Sequence, residues 1–134
     1  MKLAEAKAQK AIEKFPQLDM KDIRLLWHSK YWDGALTGLL LYEGRKCWFE
    51  NYDDVESTRR RYLIIEISDD QLREEENWHE LFREKVGTHS DYDDNWHRSG
   101  SVKSRDTWNG FYEPFQKRVP PDYSENTVIG WFEY

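Results

Sequence analysis

At 134 residues the chain is long enough to bury a sizeable core and is expected to form one domain, residues 1–134. Seven Trp, eight Tyr and six Phe point to a core built from flat rings, and a net charge of −6 argues against bulk nucleic acid as a partner. The lone cysteine, Cys47, excludes an intrachain disulfide and a thiolate zinc cluster; with no leader, lipidation motif or membrane-length apolar run legible, a soluble cytoplasmic protein with no membrane role is the default expectation.

Residues 2–15 place Leu3, Ala8, Ala11 or Ile12 and Phe15 at helical spacing among Lys and Glu, and Pro16 stops that helix. A strand over 23–32 follows, with Ile23, Leu25 and Trp27 on one face and a mixed face of His28, Lys30 and Trp32. Asp33-Gly34 is a hairpin signal leading into 35–42, an almost unbroken apolar run. Such a run suits a central strand covered on both sides, and Gly38 inside it marks a close approach or a bulge. Glu43-Gly44-Arg45 turns the chain into a third strand, 46–52, where Cys47 beside Phe49 reads as an inert buried thiol. A polar loop then leads to a fourth strand, 59–67, with Leu63, Ile65 and Ile67 inward. Arg59-Arg60-Arg61 at its start are expected to pair with Asp53, Asp54 and Glu56; a grip on phosphate is the sharper alternative.

The long helix is expected over 69–86. Ser68 with Gln71 forms a capping box, Asp69 and Asp70 suit the positive end of the helix dipole, and Gly87 is a left-handed stop. At 100° per residue, Trp78, Phe82, Val86 and Leu72 share one arc. Glu75 and His79 fall inside that arc, on successive turns. A buried carboxylate is costly unless bonded, so this pair is either a structural anchor or the wall of a site. Glu76-x-x-His79 has the spacing of carboxylate-bridged di-metal bundles, but those use the motif twice and it occurs once.

From 88 to 126 no periodic pattern is sustained, apart from a short helix near Glu113–Lys117, and a long irregular loop is expected. Its rings (Tyr92, Trp96, Trp108, Phe111, Tyr112 and Phe115) are too many for a linker and should pack back as a lid. An aromatic strand, 127–134, closes the chain. Short turns between strands force antiparallel pairing. The fold class expected is therefore α+β: a single antiparallel twisted sheet of about five strands, the central helix packed on one face, a shorter N-terminal helix and the irregular loop before the last strand.

Residues 69–94 hold ten acids against three bases, −7, leaving +1 for the rest of the chain. No Gly-rich phosphate loop, G-x-S-x-G elbow or Cys-x-x-Cys occurs, so an enzyme is not the favoured reading. The leading expectation is a non-catalytic binding or interaction module, of the small accessory, inhibitor or immunity type. It would engage a protein or a nucleotide-like ligand through Glu75, Trp78, His79, His89, Asp91 and Trp96. Trp32 and Trp48, with Tyr52, Tyr62, His28, Lys30 and Arg60, offer a second ring platform, or else a second small core. No cofactor is expected. The alternative is a metal-dependent hydrolase in which Glu75, His79, His89, Asp91 and His97 hold a divalent metal, although 89–97 match neither an EF-hand loop nor a His-Glu-x-x-His helix.

Overall fold

The structure, a computed structural model, describes residues 1–31, 34–56, 58–87 and 105–134, which gather into two compact units. The first comprises Met1–Ser68 and Asp122–Tyr134. Its strands β1 (Ile23–Tyr31), β2 (Ala35–Tyr42), β3 (Arg45–Glu56), β4 (Arg59–Ile65) and β5 (Val128–Glu133) form one sheet in the order β1-β2-β3-β4-β5. Every neighbouring pair is antiparallel, as short turns require. With a short N-terminal helix and a long central one, this is the expected α+β class. No helix among the described residues is long and apolar enough to cross a membrane.

Strand alternation explains why both faces of the sheet are covered. Leu39 and Leu40, neighbours on β2 that point to opposite faces, are both fully buried. On the Leu40 face, Cys47, Phe49, Tyr62, Ile64 and Phe132 pack together, with Leu18, Met20 and Leu25 against them. Tyr62 and Phe132 stack at 5.1 Å, and Phe49 meets both edge-on. On the other face Trp48 stacks on Tyr123 at 5.4 Å and meets the Trp27 edge at 5.9 Å. α1 (Leu3–Gln9) lies on this face, where Lys7 reaches Glu50 of β3 at 2.7 Å.

One turn and one strand glycine bear out their residues. Glu43 and Gly44 both have positive φ (51° and 79°), the geometry of a two-residue type I′ hairpin. Gly38 is required by space: a Cβ there would stand 2.2 Å from the Trp27 carbonyl oxygen and 2.7 Å from the Phe49 ring.

Elsewhere the boundaries differ, each for a physical reason. The helix expected over 2–15 stops at Gln9, Lys10 turns left-handed (φ 50°), and Ile12–Lys14 form a separate 3-10 turn. Leu3 and Ile12 are nine residues apart, which puts them on opposite sides of a continuous helix. Both are buried, and only a break lets them face the same way. The polar loop expected after residue 52 is strand instead. β3 runs to Glu56, setting Asp53, Asp54 and Glu56 in register with Arg61, Arg60 and Arg59. Opposite charges across a ladder stabilise the pairing that a polarity pattern reads as loop.

The second unit, Asp69–Pro121, contains α2 (Asp69–Lys85) and α3 (Arg105–Lys117). α3 extends the short helix expected near Glu113–Lys117 back to Arg105, correcting the expectation of irregular chain over that stretch, while 88–104 lie outside the described residues. Trp108, Phe111 and Phe115 recur at helical spacing, and their burial against α2 offsets the cost of Pro114 in the helix interior.

Candidate functional site

The chemistry-bearing groups of the described residues concentrate on α2. Its two sides differ sharply. One is an apolar seam against α3, built from Phe82, Val86 and Phe111 with Trp78, Leu81, Trp108, Tyr112 and Phe115 around them. Phe82 meets Phe111 edge-on at 5.3 Å, and Trp78 meets Phe115 at 5.5 Å. Positions 75, 78 and 82 on α2 therefore face 118, 115 and 111, so the two helices run antiparallel with alternating steps of three and four.

Glu75 occupies the seam position that faces residue 118. Its side chain is 1 % exposed, and Arg118 Nη1 donates to Glu75 Oε1 at 2.9 Å from a side chain that is itself 9 % exposed. The Arg118 guanidinium also lies over the Phe115 ring at 4.3 Å from its centroid and over Trp78 at 5.7 Å. A planar, weakly hydrated cation is thus held by a carboxylate and two aromatic faces. The inward direction expected for Glu75 is what the structure shows. The cation beside it, Arg118, is not singled out by the sequence, because it lies just past the short helix expected near Glu113–Lys117, whose extension back to Arg105 creates the seam that the cation continues. His79, half-buried, stacks on Phe82 at 6.3 Å. Trp108 Nε1 is shielded from solvent and donates to no acceptor among the described residues.

The opposite side of α2 is polar. Asp69, Leu72, Arg73, Glu76, Asn77 and Glu80 line an open groove of about 390 Å³. Their spacing of three, one, three, one and three keeps them in one stripe, which Glu84 extends. Glu76, Glu80 and Glu84 stand one turn apart with like charge; Arg73 meets Asp70 at 3.3 Å and Lys85 meets Glu84 at 3.6 Å.

The other candidates divide plainly. Trp48 and Tyr62 are 3 % and 2 % exposed and lie on opposite faces of the sheet, so they do not form one platform. His28 lies half-buried against the Phe49 ring at 6.4 Å, and burial lowers its pKa. The Cys47 thiol is fully buried, which pushes its pKa up and keeps it from acting as a nucleophile. The three arginines of β4 are engaged by acids: Arg59 with Glu56 at 2.6 Å, Arg60 with Asp54 at 3.2 Å, and Arg61 with Asp53 and, at 3.0 Å, Glu13. Those bonds hold the Arg61 guanidinium still further above its usual value. Trp32, His89, Asp91, Trp96 and His97 lie outside the described residues. Among the described residues no three His, Cys, Asp or Glu side chains gather to hold a metal ion. A guanidinium already bonded to Glu75 competes with any cation for that carboxylate.

Comparison with protein-family models, with curated proteins and with solved structures returns no match, so the chemistry of the site rests on its own residues.

Proposed function

We propose that this chain is a non-catalytic interaction module of the accessory or inhibitor type, whose acidic α2 face engages a basic protein surface. The observation that carries the reading is the row Glu76, Glu80, Glu84 along the groove. Like charges one helical turn apart destabilise a helix by roughly 0.2–0.5 kcal/mol per pair. A cationic partner offsets that repulsion and gains attraction along the exposed face of the helix. A protein is favoured over a nucleotide because two rings of the expected platform, Trp48 and Tyr62, lie on opposite faces of the sheet and are covered by the chain's own rings. The cytoplasm is the proposed compartment, in keeping with a lone thiol.

Substituting glutamine at the three positions (E76Q/E80Q/E84Q) tests this. Affinity capture from the cells that make the protein, followed by mass spectrometry, should recover basic proteins with wild type and lose them with the triple variant or at high salt. The reading fails if the captured set is indifferent to both. Thermal unfolding of the triple variant should stay within a few degrees of wild type, roughly the effect expected of exposed substitutions, which separates loss of binding from loss of fold.

A further inference from the structure

The Glu75–Arg118 pair has the composition of a receptor with its ligand already bound. Glu75 and Trp78 come from α2 and Phe115 from α3, and the contact of Phe82 with Phe111 holds those helices together without Arg118. The occupant is differently placed. Arg118 follows the last residue of α3, Lys117, and the chain then leaves through Val119, which is 86 % exposed, and exposed Pro120. The Arg118 backbone N–H still donates to the Phe115 carbonyl at 3.3 Å, so the cation withdraws by rotation of its own side chain, a motion that leaves the contact of Phe82 with Phe111 in place. The geometry also selects its chemistry. A face-on contact 4.3 Å above Phe115, together with a hydrogen bond into a carboxylate that is 1 % exposed, suits a flat guanidinium better than a strongly hydrated ammonium.

We infer that Glu75, Trp78 and Phe115 form a guanidinium-binding site that Arg118 occupies in cis, and that the class of ligand able to take its place is an arginine side chain of another molecule. The site lies on the side of α2 away from the acidic row, so the inference stands apart from the proposed function. In the intact chain the tethered arginine competes at a high effective concentration, which masks the site. The affinity for an incoming guanidinium falls by the fraction of time the pocket is empty.

The experiment removes the occupant and offers the bare group. R118A is titrated with methylguanidinium chloride to about 20 mM, far below denaturing levels, with methylammonium chloride as the charge control. Thermal unfolding should shift upward by about 3–6 °C with methylguanidinium and not with methylammonium. Wild type, whose site is filled, should show no shift, and R118A/E75Q, whose carboxylate is gone, should not respond. If R118A does not fold by itself, the readout becomes recovery of its helical circular dichroism on adding methylguanidinium. An unresponsive R118A, or equal responses from wild type or R118A/E75Q, overturns the assignment.

Discussion

Replacing Glu75 with leucine removes one half of a buried ion pair and strands the other. Arg118 keeps its charge in a site where its side chain is only 9 % exposed, with the Glu75 acceptor at 2.9 Å gone. Breaking a buried pair on one side costs about 3–5 kcal/mol, because the remaining charge is desolvated and uncompensated. R118M takes the guanidinium from the buried Glu75 carboxylate and also loses the contacts with Phe115 and Trp78, worth about 0.5–2 kcal/mol, so it should cost at least as much. The double variant E75L/R118M carries no stranded charge and fills the seam with apolar side chains of similar length. It should return to within about 1–2 kcal/mol of wild type, or exceed it. Urea denaturation at neutral pH, followed by far-ultraviolet circular dichroism, reads all four proteins. With a slope of about 2 kcal/mol per molar urea, each single variant should lower the midpoint by roughly 1.5–2.5 M. The cycle, which sets the cost of the double variant against the sum of the two single costs, should return a coupling energy of at least about 4 kcal/mol. If E75L matches wild type, or the two substitutions add, the pair is not a buried, mutually compensating unit and the reasoning is refuted.

Three further outcomes follow from the sheet. Cys47, fully buried and with its thiol pKa raised, should react with a thiol-specific disulfide reagent only as fast as the protein opens, and at once in denaturant; rapid labelling of the native protein would contradict the packing. G38A pushes a methyl group against the Trp27 carbonyl and the Phe49 ring, so it should cost about 3 kcal/mol and lower Tm by roughly 10 °C; an unchanged Tm would mean that β1 and β2 are not this close. Burial lowers the His28 pKa from an ordinary 6.5, so the unfolded chain takes up a proton at higher pH than the folded one does. The corresponding stability is complete above about 6.5 and is lost as pH falls through the lowered value; H28Q should flatten the midpoint-versus-pH curve in that window, and an unaltered curve would refute the assignment.

How much of the fold was legible depended on whether short-range chemistry or long-range pairing set each element. α2 announced itself through its acidic start and Gly87, which has φ 118° and closes the helix by donating to the Phe82 carbonyl at 3.1 Å. The turn at Glu43-Gly44 was readable because a few neighbouring residues determine it, and Gly38 stood out as a glycine inside an apolar run even though the Trp27 and Phe49 atoms that crowd it come from the adjacent strands. The end of β3 was not readable in that way. Asp53, Asp54 and Glu56 look like loop residues until they are set opposite Arg61, Arg60 and Arg59, so the pairing of the charges was visible while the strand they build was not. The break at Lys10 was hidden because each piece of the segment has helical spacing, and only the shared burial of Leu3 and Ile12 demands a change of direction.

The partner of Glu75 was illegible for a related reason. On α2 alone, Glu75 and His79 are the polar groups that interrupt an apolar arc, and the nearest imidazole is the natural candidate to answer the carboxylate. The cation comes from α3, whose seam Trp108, Phe111, Phe115 steps by three and four and, continued by three, reaches Arg118. Gly110 and Pro114 lie between those positions and argue locally against a helix. Pro114 is exposed and leaves the seam intact. A polar residue that interrupts one helix's apolar arc is thus best read together with the other helix of its pair: the carboxylate at 75 and the cation at 118 are each anomalous alone, and in antiparallel register each accounts for the other.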